Sequence, residues 1–272
     1  MQKKIKSFDN IGINYSINRI SDFFLIFLHG AGGDLNAWKK EREFFHKAKY
    51  STIAIDLRGH GLSGRPASLE KYRLEYFAQD IYGVIKKEKI KKFILVGHCF
   101  GGIVTIMFHK LFPKLSKSYV LVGTTYKGPK LLKAIKPISF FKYIADYVNK
   151  NGGITKKYSS HVNFDKFKGS GDWDFQRIYS DIVNTSVKSW LFTYETIADF
   201  DGEGILGTIN KPVLIIHGGR DSVFPPKIAQ KMHKIIKLST IKIIPDANHI
   251  IVLNNDRSLS REILSHVKSL DN

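Results

Sequence analysis

Short, largely apolar runs recur along the chain at residues 23–28, 51–57, 92–97, 118–123, 212–217 and 240–245. Each is too short for a helix and too apolar for a strand with one wet face. Each therefore predicts a strand buried on both faces. Residues 3–20 read differently. There Ile11, Ile13, Tyr15 and Ile17 alternate with other residues, and Asp9-Asn10 supplies turn chemistry, so this stretch predicts a hairpin. Between the apolar runs lie stretches with helical character: 36–48, 74–90, 101–112 (closed by Pro113), 226–236 and 258–270. In the second of these, Tyr76, Phe77, Ile81 and Ile85 fall near one face. Strands alternating with helices predict a mostly parallel sheet covered on both sides and linked by right-handed crossovers.

Residues 126–205 break this rhythm. The segment is too long for a plain crossover and carries Trp173, Phe175, Tyr179, Trp190, Phe192 and Tyr194 in a helical-looking context. It predicts a helical cap inserted into an α/β core made of residues 1–125 and 206–272. A run of extra core helices would leave the same pattern, and the aromatic residues suit a core as well as a pocket.

Composition narrows the function classes. With 43% hydrophobic and 25% charged residues the chain is ordinarily globular, which excludes disorder as its main state. Lys and Arg number 43 against 24 Asp and Glu, a net charge of +19 that would suit an anionic partner. Yet the lysines are scattered, with only short clusters at Lys39-Lys40, Lys86-Lys87, Lys91-Lys92 and Lys156-Lys157. No nucleic-acid-binding motif accompanies them, so no specific nucleic-acid partner is expected. One cysteine excludes internal disulfides and multi-cysteine metal sites. No His-Glu-x-x-His pattern appears, and neither a metal nor a cofactor is expected. The first ten residues are basic without the apolar stretch of a leader, and 23–28 is far short of a bilayer span. These features predict a cytoplasmic protein without a membrane span; a homodimer stays open.

The candidate chemistry lies at the ends of the apolar runs. Gly97-His98-Cys99-Phe100-Gly101-Gly102 follows one run and opens a helix. This is the Gly-x-nucleophile-x-Gly pattern, with Cys where Ser is usual. The flanking glycines suit a cramped strand-to-helix turn, which places the side chain near a helix N-terminus, where negative charge is favoured. Asp221, in His217-Gly218-Gly219-Arg220-Asp221, follows the run at 212–217. His249, in Pro245-Asp246-Ala247-Asn248-His249, follows the run at 240–245. Nucleophile, acid and His in that chain order, each at the carboxyl end of a strand, form a candidate triad. After the first run, the glycines of His29-Gly30-Ala31-Gly32-Gly33 let the backbone turn, so that the N–H groups of Ala31 and Phe100 become candidate oxyanion-hole donors.

Together with Asp56-Leu57-Arg58-Gly59-His60-Gly61-Leu62-Ser63, these motifs resemble the α/β-hydrolase superfamily over about residues 10 to 270. The resemblance implies the α/β-hydrolase fold with a helical cap after the strand near 118–123. The chain looks most like the small, cofactor-free esterase and carbon–carbon hydrolase branches. A Cys nucleophile is also used by dienelactone hydrolases, although the other motifs do not single out that branch.

Each residue also has a plainer reading. Cys99 would serve as an inert buried thiol, and Asp221 as a turn residue. Asp246 is a rival carboxylate, better suited to a turn. Gly30, His98 and Trp190 are candidate substrate-pocket residues, but His98, like His29, also suits structural support under the site, and His60 suits bracing a loop. Asp34 and Trp38 suit the pocket entrance, or for Asp34 a helix N-cap. The expected function is hydrolysis of carboxylic esters or thioesters of a small acyl substrate through a Cys99-His249-Asp221 triad and a covalent acyl-enzyme. Carbon–carbon or lactone hydrolysis and acyl transfer remain open on the same triad. Outside catalysis, so does a ligand-binding sensor on a decayed hydrolase scaffold.

Overall fold

A computed structural model describes residues 1–129 and 160–270. Its sheet has eight strands: β1 (Gln2–Lys6), β2 (Gly12–Asn18), β3 (Phe23–Leu28), β4 (Ser51–Ile55), β5 (Lys92–His98), β6 (Ser118–Val122), β7 (Val213–Gly218) and β8 (Ser239–Ile244). They lie in the order β1-β2-β4-β3-β5-β6-β7-β8. The expected hairpin is β1–β2, with Ile5 opposite Ile13 and Asn10 turning the chain at φ 66°. β2 also runs antiparallel to β4, and every later pair is parallel.

The order reverses around β3. The chain leaves β3 for β4 on one side and returns across it to β5 on the other. Leu28 is level with both Ile55 and Gly97, so the loops after β3, β4 and β5 emerge side by side. In parallel sheets such a reversal opens a crevice at the strand carboxyl ends. The motifs at 29–33, 56–63 and 97–102 all meet there.

Period-two alternation divides the core between the two faces. Phe24, Ile26 and Leu28 pack with helices α2 (Leu74–Lys87) and α3 (Phe100–Leu111) through Phe77, Ile81, Ile103 and Phe108. Leu25 and Phe27 point the other way, toward Phe45 of α1 (Lys39–Lys47). The cluster on that face also holds Ile263 and Val267.

Two expectations are corrected. The run at 240–245 is not buried on both faces: β8 is the sheet edge, bonded only to β7, and Ile243 is 37% exposed. Its apolar residues cover one side of an edge rather than fill the centre. Trp38 does not line a pocket entrance. It is fully buried, 5.1 Å from the Phe27 ring and edge-on to His98 at 6.4 Å.

Residues 130–159 of the expected cap lie outside the described residues. The remainder forms α4 (Phe175–Thr185), capped by Asp174, and α5 (Val187–Asp199), capped by Ser186. α5 lies on the core: Leu191, Phe192 and Ile197 join the same cluster as Phe77 and Ile103. The Tyr72 hydroxyl is 2.7 Å from Ser189 Oγ, and the Tyr72 and Phe192 rings meet at 5.3 Å. Phe192 is thus core, whereas Trp173, Phe175 and Tyr179 are exposed. The chain returns to β7 through α6 (Glu203–Leu206). Three further helices follow: α7 (Lys227–Ile235), α8 (Ile251–Asn254) and α9 (Asp256–Ser269).

A buried ion pair holds the loop after β4 to α2. Arg58 is fully buried, and its Nε and Nη2 donate to the two carboxylate oxygens of Asp80, each at 2.7 Å. Nη1 donates to the Lys71 carbonyl at 2.8 Å, and Ser7 Oγ donates to Asp80. Removing Asp80 would replace two 2.7 Å bonds with the longer contact to Asp9, at 3.2 Å, as the buried guanidinium's remaining carboxylate partner. Asp80→Ala should therefore lower urea-measured stability by about 3–5 kcal/mol. The double change Arg58→Met, Asp80→Leu should recover most of that loss, and a double variant no better than the single one would contradict this account.

Candidate active site

The turn after β5 sets the geometry. Cys99 adopts φ 49°, ψ −114°, a strained conformation for a residue with a side chain. Its N–H donates to the Val122 carbonyl at 3.0 Å, and its own carbonyl accepts from Thr124 Oγ1 at 2.6 Å. Close backbone approach explains the glycines. A Cβ on Gly97 would lie 2.3 Å from the Gly101 oxygen, and one on Gly101 would lie 2.3 Å from the Leu28 oxygen. The half-buried thiol consequently stands at the N-terminus of α3.

Asp221 and His249 arrive from the ends of β7 and β8. Both are buried, and His249 Nδ1–H donates to Asp221 Oδ2 at 2.9 Å. Nε2 is the ring nitrogen left for Cys99, whose sulfur lies close enough to raise the imidazole. Asp221 is held from its other side: Oδ1 accepts the N–H groups of Val223 at 2.9 Å and Phe224 at 2.7 Å. His217 Nε2 lies 3.3 Å from Oδ2 and donates to the Phe224 carbonyl at 2.7 Å. Asp246 is no rival, since it is exposed and paired with Arg220 at 2.7 Å.

Burial opposes charge on both partners, and their neighbours overcome it. For His249, the nearby Cys99 and its hydrogen bonds with Asp221 and Cys99 raise the imidazole to about 10. For Asp221, hydrogen bonds from His217 and His249 hold the carboxylate well below its ordinary range. The geometry therefore favours an imidazolium held between the Asp221 carboxylate and the Cys99 sulfur.

The remaining sequence candidates surround this centre. A Cβ on Gly30 would lie 3.2 Å from Cys99 Cβ and 3.1 Å from His98 Nδ1, so the loop after β3 runs against the thiol. His29 takes the Leu57 N–H on Nε2 at 3.1 Å and donates from Nδ1 to the Gly30 carbonyl at 2.8 Å. The Gly33 N–H also reaches that carbonyl, at 3.1 Å, which fixes the turn around Ala31. Neither Ala31 nor Phe100 has an acceptor for its N–H among the described residues. His98 donates from Nε2 to the His249 carbonyl at 2.9 Å, and burial lowers it to about 3. Its polar edge is spent on backbone, which suits the supporting role better than a substrate contact. His60 braces its loop by donating from Nδ1 to the Arg58 carbonyl at 2.9 Å. Trp190 is half-buried and stacks on Tyr194 with ring centroids 4.2 Å apart.

Several neighbours make contacts that no motif in the sequence marks. Burial raises the Tyr194 phenol, and the charges of Cys99 and Asp181 raise it further, which puts this ring within electrostatic reach of the thiol. Asp34 caps the turn Leu35–Trp38 through the Asn36 N–H, as one reading expected. It also accepts the Val162 N–H at 2.8 Å, and burial raises it to about 6. Asp172 accepts the His249 N–H at 2.7 Å. Apart from that cap, each of these contacts involves a residue between 160 and 205, beyond any motif spacing. Among the described residues, no group of His, Cys, Asp and Glu is arranged to hold a metal ion.

A family model described as the alpha/beta hydrolase fold matches residues 24–256. The chain belongs to the α/β-hydrolase family. It is similar to Protein ABHD8 of Bos taurus, 26% identical over 247 residues, covering 86% of this chain and 53% of that protein. The chain thus spans about half the length of that relative. It is also similar to 2-hydroxy-6-oxo-2,4-heptadienoate hydrolase of Pseudomonas putida, 21% identical over 246 residues, covering 87% of this chain and 86% of that one. Among solved structures, an esterase from Exiguobacterium antarcticum superposes with a TM-score of 0.78 at 20% identity, covering 98% of this chain and 100% of that one.

The charge arrangement has a pH signature. The depressed Asp221 value means that its contribution to stability is complete above the ordinary carboxylate range and is lost as pH falls through the folded-state value. The raised His249 value means that its contribution is complete below 6.5 and is lost as pH rises toward about 10. Urea midpoints of the wild type and Asp221→Asn should therefore differ most between about pH 5 and 6.5, and less at about pH 3 and pH 10. A gap that widens toward pH 10 would contradict the charge assignment.

Proposed function

We propose that the protein is a hydrolase of carboxylic esters or thioesters in which Cys99 is the nucleophile, His249 the acid and base, and Asp221 the support for the imidazole. One observation carries this reading: the chain's single thiol sits at a strained strand-to-helix turn, in contact with an imidazole whose far nitrogen is bonded to a buried carboxylate. An inert thiol would need neither the strain nor the buried charges around it.

In the first half-reaction, Cys99 Sγ as thiolate attacks the acyl carbon, and the carbonyl oxygen gains the negative charge. The N–H groups of Ala31 and Phe100 receive that charge; a single such donor is worth about 3–4 kcal/mol of barrier. The bond to the leaving group then breaks, His249 gives the departing oxygen or sulfur its proton, and the acyl group remains on sulfur. In the second half, water attacks the thioester carbon while His249 takes a proton from it, and the thiolate leaves. The remaining segment of 126–205, with Trp190 and Tyr194 beside the site, acts as the cap that shapes the acyl pocket. An esterase and a hydrolase among the similar proteins are in keeping with this chemistry.

Sulfur restricts the substrates. In the tetrahedral intermediate a thiolate departs more readily than a simple alkoxide, so an alkyl ester tends to collapse back to substrate. Aryl esters, enol esters and thioesters carry better leaving groups and go forward. For one acyl group, kcat/KM for a nitrophenyl ester or a thioester should exceed that for the ethyl ester by at least about tenfold, and iodoacetamide should abolish turnover. Cys99→Ser should shift the ratio toward the alkyl ester. Equal rates on the ethyl and nitrophenyl esters, or full turnover after alkylation, would overturn the proposal.

A further inference from the structure

The catalytic loops do not hold themselves in place. His249 N–H is buried, and its acceptor is Asp172 Oδ1 at 2.7 Å, reached across 77 residues of sequence. The other oxygen of the same carboxylate, Oδ2, accepts Ser222 N–H at 2.9 Å and Ser222 Oγ at 2.8 Å. Ser222 directly follows Asp221. One carboxylate, 8% exposed, therefore ties the backbone of the imidazole residue to the backbone beside its carboxylate partner.

The flanking residues build a strap around this contact. Ser170 O accepts Asn248 Nδ2 and Asn254 Nδ2, both at 3.0 Å. The Gly169 N–H donates to Asn254 Oδ1 at 2.7 Å, and Trp173 Nε1 donates to Ser222 Oγ at 3.0 Å. Arg177 of α4 holds the strap from behind, Nη2 to the Asp172 carbonyl at 2.7 Å. Residues 169–173 lie between β6 and β7, yet every one of these strap contacts except Arg177 lands on the loops that carry Asp221 and His249 or on α8, which follows the His249 loop. Elsewhere the His249 loop is held by His98 Nε2 on the His249 carbonyl and by the Arg220 N–H on the Ala247 carbonyl at 2.8 Å. Those bonds leave the peptide N–H of His249 to Asp172 alone among the described residues.

We propose that Asp172 is a positioning residue: by clamping the amides of Ser222 and His249 it sets the imidazole between Asp221 and Cys99, so that docking of the insertion and assembly of the triad are one event. The charge-assisted bonds it makes are stronger than neutral ones, and losing it orphans a buried N–H at the residue that must hold its register. A small displacement there is costly, because proton transfer depends on hydrogen-bond reach. The inference rests on the reading of Cys99 and His249 as nucleophile and base.

The test uses the thiol itself and needs no knowledge of the substrate. The pH profile of Cys99 alkylation by iodoacetamide is measured for the wild type, Asp172→Asn and Asp172→Ala, together with kcat and KM on a nitrophenyl ester. The folded fraction is followed by circular dichroism. Asp172→Ala should react at least about tenfold more slowly near pH 6 per folded molecule, at a rate nearer that of free cysteine in the same buffer. Its kcat should fall while KM changes little. Asp172→Asn keeps one oxygen acceptor for the His249 N–H but offers Ser222 a poorer partner, and should fall between the two. It carries the test if the alanine variant does not fold. Wild-type alkylation and kcat in the folded asparagine and alanine variants, or losses that only track the folded fraction, would overturn the positioning role. A wild-type thiol no more reactive than free cysteine would instead overturn the reading of Cys99 on which that role rests.

Discussion

The approach of Gly101 to the Leu28 carbonyl is the constraint on which the rest depends. A single methyl group there would lie 2.3 Å from that oxygen. Because the contact is that tight, the N-terminus of α3 sits directly against the end of β3. Cys99 must then turn through a left-handed conformation to connect β5 to the helix. The same closeness brings the loop at 29–33 alongside the thiol, with Gly30 against Cys99 Cβ. Sheet register does the rest: His217 at the end of β7 is level with Ile243 of β8, so the loops carrying Asp221 and His249 leave the same edge. Four segments far apart in sequence meet because their strands end together.

Electrostatics is arranged in the same economy. The chain carries a net charge of +19, yet the groups that matter at the site are buried and locally balanced. His249 lies between the Asp221 carboxylate and the Cys99 sulfur, and Asp221 is surrounded by donors from His217, Val223 and Phe224. In so dry a setting each bond is stronger than in water, and each missing partner is correspondingly costly. The neutral histidines beneath, His29 and His98, orient carbonyls of Gly30 and His249 and add no charge of their own.

Much of this was readable from the residues. The strands announce themselves because a fully covered parallel strand must be apolar throughout, and β3 to β7 obey that rule. β8 does not, since an edge strand needs only one covered side, and its isoleucines disguise it. The elbow glycines and the order of Cys99, Asp221 and His249 are legible because backbone crowding and strand-end chemistry leave local marks. Trp38 was less so: a tryptophan beside a glycine loop suits a pocket rim or a core equally, and packing against Phe27 decides it. Asp172 leaves no local mark at all, and Tyr194 shows only as one aromatic among six. Their contacts come from where residues 160–205 land on the core, and nothing in the spacing of 126–205 records that landing.

The most direct test of the account is to catch the acyl group on its way through. Rapid mixing with a slowly hydrolysed nitrophenyl ester, acid quenching and mass mapping should reveal one acyl adduct, on the peptide containing Cys99, rising and decaying at rates that match turnover. Product formation without that adduct, or with the acyl group on another residue, would contradict it.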